Sequence, residues 1–279
     1  MKLTLKHWLG SSAVAAALLL TGCGDKAVTE QAPAQEAPVV KTIKVGAIAG
    51  SEAQLVEVAK KVALEKFNLN VEVVTFTDYV TPNIALSHGS IDANAFQHQP
   101  YLDTMVKDRG FKIVNVANTF VYPIAGYSKS IKNVSELADG AKIAVPNDPT
   151  NQGRSLILLA KQGLFTLKAD AGLNASIMDI VENPKKFELV ELEAAQLPRS
   201  LDDVALAVIN TTYASSIDLL PTRDGLFVED KDSPYVNIIA TREDNKADEK
   251  VTQFIQAFQS EEVYKAAQEI FKGSVVKGW

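Results

Sequence analysis

Apolar positions from residue 43 onward keep two alternating rhythms. Ile43-Lys-Val-Gly-Ala-Ile48 reads as a strand. Ser51 follows as an N-cap with Gln54 three residues on, the pattern of a capping box. Leu55, Val58, Ala59 and Val62 then recur at helical spacing. Val71 to Phe76 is the next strand, and Thr81-Pro82 starts a second helix with Gly89 beyond its end. Ile91 to Phe96 reads as a short buried strand, and Pro100 opens a helix that Gly110 closes. The rhythm restarts after Gly126. Strands are expected at Lys142–Pro146, Glu188–Leu192, Leu206–Ile209 and Val236–Thr241, a helix at Ser155–Lys161, and two helical patterns within Asp248–Phe271. Strands alternating with helices favour a parallel sheet covered on both faces. No internal repeat is visible, so the pattern implies two similar α/β lobes, with the chain passing between them twice. Ligands of open α/β sheets bind at the carboxyl ends of strands, which here would face a shared cleft.

The first residues follow another pattern. Lys2, Lys6 and His7 precede a short apolar run, Ala13 to Leu20, and then Leu20-Thr21-Gly22-Cys23. This is the layout of a secretory signal, and the run is far short of the ~20 residues that span a bilayer. The tetrapeptide resembles the lipobox of bacterial lipoproteins, in which the cysteine is acylated, palmitate included, and becomes the mature N-terminus. Cys23 is the only cysteine, so internal disulfides and cysteine-based zinc clusters are excluded. Gly24 to about Lys41 is rich in Ala, Pro, Gln and Glu and cannot bury enough surface to offset its entropy. The expected organisation is a signal peptide at 1–22, a lipid-anchored tether at 23–42, lobe 1 from 43–125 and 230–279, and lobe 2 from 126–229. Such a protein works outside the cytoplasm, held on the periplasmic side of a membrane.

Charge and chemistry narrow the function. Loss of Lys2 and Lys6 with the signal moves the formal net charge from −6 to −8, with no basic cluster to hold phosphates. His-Glu-x-x-His, Gly-x-Ser-x-Gly, Gly-x-x-x-x-Gly-Lys and Gly-x-Gly-x-x-Gly are all missing. Only His88 and His98 remain after the signal, ten residues apart, where a metal site needs three or four ligands close together. These observations predict a binding protein and not an enzyme, with no cofactor, metal or nucleic acid.

Four blocks carry a more specific likeness: Asn94-Ala-Phe-Gln-His98-x-Pro-Tyr-Leu102, Asn118-Thr-Phe-Val-Tyr-Pro-Ile-Ala-Gly126, Val145-Pro-Asn-Asp-Pro-Thr-Asn-x-Gly-Arg-Ser155 and Ile209-Asn-Thr-Thr-Tyr-Ala214. With Ser233-Pro-Tyr-Val-Asn237 and the closing Val-Lys-Gly-Trp279, they resemble the MetQ/NlpA-type methionine-binding lipoproteins, solute-binding subunits of methionine ABC importers. The resemblance runs from Ile43 to Trp279. It implies a two-lobed periplasmic-binding-protein fold, type II-like, with the ligand between the lobes. It also implies capture of methionine, L- and D- forms both being candidates, for a permease and ATPase complex. Related ligands, such as a methionine-containing dipeptide, and a surface or adhesion role are the alternatives. Residue by residue, Arg154 matches the arginine that meets the α-carboxylate with its planar fork. Asn210 and Asn237 match the amide ligands, with Asn118 and Asn151 as further candidates. Tyr79, Phe96, His98, Tyr101 and Tyr122 match the lining of the thioether pocket, His98 as a neutral wall. Among departures from the family pattern, Gly24 follows Cys23 where an Asp would signal inner-membrane retention in some envelopes.

Overall fold

A computed structural model of the protein describes residues 40–230 and 232–279. The expected signal peptide, Cys23 and the tether as far as residue 39 lie outside the described residues. The first strand, β1 (Lys41–Ile48), starts before the expected end of the tether, so Lys41 and Thr42 belong to the folded body.

From β1 the chain runs through α1 (Ser51–Phe67), β2 (Leu69–Phe76), α2 (Thr81–Ser87), β3 (Ala93–Asn94), α3 (Gln99–Arg109) and β4 (Ile113–Val121). It crosses into β5 (Ala125–Tyr127), β6 (Lys142–Pro146), α4 (Pro149–Lys161), β7 (Thr166–Leu167), β8 (Ile180–Glu182) and β9 (Glu188–Leu192). Then come α5 (Leu197–Ser200), β10 (Leu206–Ile209), α6 (Thr211–Ser215), α7 (Pro221–Asp224) and β11 (Phe227–Val228). A second crossing leads back to β12 (Val236–Arg242), α8 (Glu249–Phe258), α9 (Glu261–Ile270) and β13 (Val276–Lys277).

Each lobe is built on one sheet. The first has the order β13-β4-β12-β3-β1-β2 and the second β11-β5-β10-β6-β9, with β7 and β8 paired apart. The sheets are mixed, not wholly parallel as the alternation predicted. β1 runs parallel to β2 and β3, and β6 to β9 and β10, but β12 is antiparallel to β3 and β4. The reason lies in the crossings. The chain leaves the first lobe from the end of β4 and returns at the start of β12, with Val121 opposite Val236, so the two strands must run in opposite directions.

Local chemistry explains most element ends. Asn68 adopts the left-handed conformation and its N–H bonds the Ala63 and Leu64 carbonyls, closing α1. Gly110 does the same for α3 at φ 68°. The capping box expected at Ser51 does not form. Gly50 takes the N-cap position at φ 108°, a backbone that glycine adopts without a Cβ penalty, and Ser51 is already helical. The helix expected at Ser155–Lys161 starts earlier, at Pro149, because Asp148 caps it by accepting from the Asn151 N–H at 2.9 Å.

Apolar clusters fill the lobes. Phe120, Phe254, Phe258 and Phe271 pack with β1 and α1 in the first, beside a smaller cluster of Leu86, Ile91, Leu102, Ile113 and Ile238, while Ile143, Val145, Leu156, Leu159, Leu206 and Val208 fill the second. Another cluster crosses the divide. Ile48, Phe96, Tyr101 and Met105 from the first lobe join Ala125, Leu197, Ile209, Tyr213 and Ala214 from the second. Buried apolar area of this kind, at ~25 cal/mol per Å2, holds the lobes against each other.

Candidate functional site

The cleft collects what the loops after the parallel strands carry. Tyr79 follows β2, Phe96, Gln97 and His98 follow β3, Asn151 and Arg154 lie on α4 after β6, and Asn210, Thr211 and Thr212 follow β10. Tyr101 on α3, Tyr122 after β4 and Asn237 on β12 complete the lining of one cavity.

One wall is aromatic. The Tyr79 ring lies 5.9 Å from that of Phe96, 6.2 Å from that of Tyr101 and, across the cleft, 4.9 Å from that of Tyr213. The Tyr101 hydroxyl donates to the Tyr79 carbonyl at 2.9 Å, which turns its ring toward the cavity. The loop bearing Phe96 and His98 is fixed from below by a closed amide triad. Gln97 Nε2 donates to Asn83 Oδ1 at 2.8 Å and Asn94 Oδ1 at 3.0 Å, and Asn83 returns a bond to Gln97 Oε1 at 2.7 Å. All three amides are buried and satisfied, so the loop is rigid.

The opposite wall is polar. His98 Nδ1 accepts the Tyr101 N–H at 3.1 Å, which puts the ring proton on Nε2, 3.2 Å from Asn151 Oδ1. Burial, with the Arg154 charge adding to it, pushes the His98 pKa down to about 3, so the ring is neutral. Asn210 Nδ2 donates to the same Asn151 oxygen at 2.8 Å, while its own Oδ1 is buried without a partner among the described residues. Asn237 Nδ2 donates to the Phe96 carbonyl at 3.1 Å.

Arg154 is held more tightly than its type and position suggested. It is 3% exposed, and its Nε donates to Glu229 Oε1 at 2.9 Å. Nη2 donates both to the Tyr122 carbonyl, at 2.9 Å, and to Glu229 Oε2. The guanidinium also stacks on Tyr235, 4.5 Å from the ring centroid. The full fork expected for a ligand carboxylate is therefore turned toward Glu229. Only Nη1 makes no hydrogen bond among the described residues.

Nine of the ten residues expected to touch ligand thus line one cavity. Asn118 does not. It is exposed on β4, where the pairing with β12 is irregular, and donates to the Gly278 carbonyl at 3.2 Å. Gln97, Thr211 and Thr212 line the cavity without having been singled out, although all three stand inside blocks quoted for other residues. Glu229 and Glu52, which support the walls, gave no motif. The only signal was an acid placed directly after a strand or at a crossing.

The profile of the NlpA lipoprotein family matches residues 43–279. The chain belongs to this family. Among NlpA relatives, the D-methionine-binding lipoprotein MetQ of Escherichia coli strain K12 is 59% identical over 281 residues, covering all of both chains. The crystal structure of a methionine-binding protein, MetQ, aligns with a TM-score of 0.85 and 66% identity, over 85% of this chain and 98% of that one. A nutrient-binding protein from Burkholderia cenocepacia, solved bound to methionine, aligns with a TM-score of 0.83 and 51% identity, over 85% of this chain and all of that one. The two-lobed fold is common to these proteins and this chain. Among the described residues no helix is long and apolar enough to cross a membrane, and no group of three metal-binding side chains occurs.

Proposed function

We propose that the protein is an extracytoplasmic binding lipoprotein that captures methionine and delivers it to an ABC importer, and that it catalyses no reaction. The observation that carries this reading is the division of the cavity. An aromatic slot from Tyr79, Phe96, Tyr101 and Tyr122 faces a polar wall containing Arg154, Asn151 and Asn210. That is the chemistry of an amino acid with an unbranched apolar side chain. Sulfur against ring edges contributes roughly 0.3–1.5 kcal/mol per contact, and burial of the chain roughly 1.5–3 kcal/mol. Arg154 Nη1 would meet the carboxylate and the free Asn210 Oδ1 an N–H of the ligand. The methionine named for both the E. coli relative and the Burkholderia structure supports the same ligand.

In this reading residues 43–125 with 230–279 form lobe 1 and 126–229 form lobe 2, except that Ala125 pairs within the second sheet. Cys23, acylated, tethers the body to the outer face of a membrane beside the importer's permease and ATPase. Calorimetric titration with L- and D-methionine tests the reading. Binding at micromolar affinity or better, worth about −8 kcal/mol, is expected for at least one isomer. No heat and no stabilisation with either isomer would overturn it.

A further inference from the structure

An amino acid carries two charges at neutral pH, and Arg154 accounts for one of them. None of the side chains lining the cavity is a carboxylate. One stands immediately behind the lining. Glu52, in the first turn of α1, is 3% exposed. Its Oε1 accepts from Thr212 Oγ1 at 2.9 Å and lies 3.5 Å from Asn237 Nδ2. Thr212 belongs to the second lobe and Asn237 to the first, and both line the cavity. The other oxygen, Oε2, is buried without a hydrogen-bond partner among the described residues. An unpaired carboxylate oxygen in a dry site is costly unless a cation or a proton meets it.

We propose that Glu52 is the counter-ion for the α-ammonium group of the bound amino acid, and that the pair forms as the Glu52 carboxyl releases one proton to solvent. This rests on the reading of the cavity as an amino-acid site. The titratable groups that act on Glu52 are the phenols of Tyr79, Tyr122 and Tyr213, each kept protonated by its own burial. No basic side chain bonds to Glu52 among the described residues. Burial pushes its pKa up to about 8, against the opposing pull of the Thr212 hydrogen bond. At neutral pH the unliganded carboxyl is therefore largely protonated. An arriving ammonium favours the carboxylate, so the proton leaves and a buried ion pair replaces a buried acid. The device also explains the position of Glu52 at a contact between lobes. Thr212 brings its hydroxyl to the carboxylate from the second lobe.

The test uses wild type and Glu52→Gln, which keeps the shape and an acceptor for Thr212. Methionine is compared with 4-(methylthio)butanoate, the same molecule without its ammonium group. Wild type should prefer methionine strongly. Glu52→Gln should lose at least tenfold in methionine affinity while binding the deaminated acid as well as wild type does. Titration of wild type at pH 6.5 in phosphate and in imidazole, buffers of different ionisation enthalpy, should show close to one proton released per methionine. Methionine affinity should rise with pH from 5.5 to 7.5 in wild type and stay flat in Glu52→Gln. Unliganded stability gives a second readout. A carboxyl whose pKa is raised by folding contributes stability that is fully present below its unfolded value and lost as pH rises through about 8. The melting temperature of wild type relative to Glu52→Gln should fall across that window. Wild type that binds no methionine would overturn the functional reading and this inference with it. Normal methionine binding by Glu52→Gln, or binding by wild type without proton release, would overturn this inference alone.

Discussion

At the scale of single residues, the decisive arrangement is that Arg154 is shared. Its Nε and Nη2 are committed to Glu229 and the Tyr122 carbonyl, leaving Nη1 for a ligand. Arg154→Ala should therefore fail in two ways. Methionine affinity should drop at least tenfold, since losing one partner of a desolvated charged pair costs roughly 2–5 kcal/mol. The fold should also weaken, because Glu229, with only 12% of its side chain exposed, would be left without its cation. Calorimetry and thermal unfolding read the two effects separately. A variant with normal affinity would remove Arg154 from the site, and one with unchanged melting would show that the Glu229 pair is worth little. Arg154→Lys should restore part of each property, since a single ammonium cannot reproduce bonds to two partners and Nη1 together. The type and position of Arg154 were legible in the sequence through the family block around it. The sharing with Glu229 was not, because Glu229 lies 75 residues away on the other crossing.

At the scale of elements, the strands and helices with continuous apolar patterns were readable, and those with polar insertions were not. Lys142–Pro146, Glu188–Leu192 and Leu206–Ile209 appear with the bounds their sequences predicted. β4 was missed, although it is nine residues long, because Asn115 and Asn118, three residues apart, break its alternation. The run Ile91 to Phe96 yielded only two residues of regular strand, although the Asp92 and Ala95 N–H groups on either side also bond the Lys44 and Gly46 carbonyls of β1. The α4 helix shows how an element positions a site. A Cβ at Gly153 would meet the Leu173 carbonyl oxygen at 2.2 Å and the Ala175 nitrogen at 2.8 Å. Both contacts are backbone, so Gly153→Ala must push the helix or the 173–175 loop aside. The variant should fold with reduced stability and bind methionine several-fold more weakly, because Asn151 and Arg154 ride on the displaced turn. Unchanged affinity with unchanged melting would mean that the loop yields freely.

At the scale of the whole molecule, neither lobe holds the cavity alone. His98 reaches Asn151, Glu52 reaches Thr212 and the Tyr213 hydroxyl reaches the Thr77 carbonyl at 3.2 Å, each from one lobe to the other. A ligand that touches both walls favours the closed state by its differential affinity for it. Methionine should therefore compact the protein in small-angle scattering. Alanine should bind more weakly by about 1.5–3 kcal/mol for want of the slot contacts. Norleucine should lose only the sulfur–ring part. Glutamate should fail, because the aromatic wall offers its side-chain carboxylate no partner. Glutamate binding as tightly as methionine would show that the slot is misread, and saturation without compaction would show that closure is.

The packing at the C-terminus also decides what light can report. The chain has two tryptophans, Trp8 and Trp279, and a chain that begins at Cys23 keeps only the second. The indole of Trp279 meets Phe120 edge-on at 5.0 Å, with the Lys277 ammonium 4.8 Å from its ring. Phe120 in turn lies 6.0 Å from Tyr122, a wall of the cavity. All the indole emission therefore comes from one lobe, one ring removed from the site. A change in that emission on adding ligand is a signal from Tyr122 and the end of β4. It carries no direct information on the swing of the other lobe, which needs a label of its own.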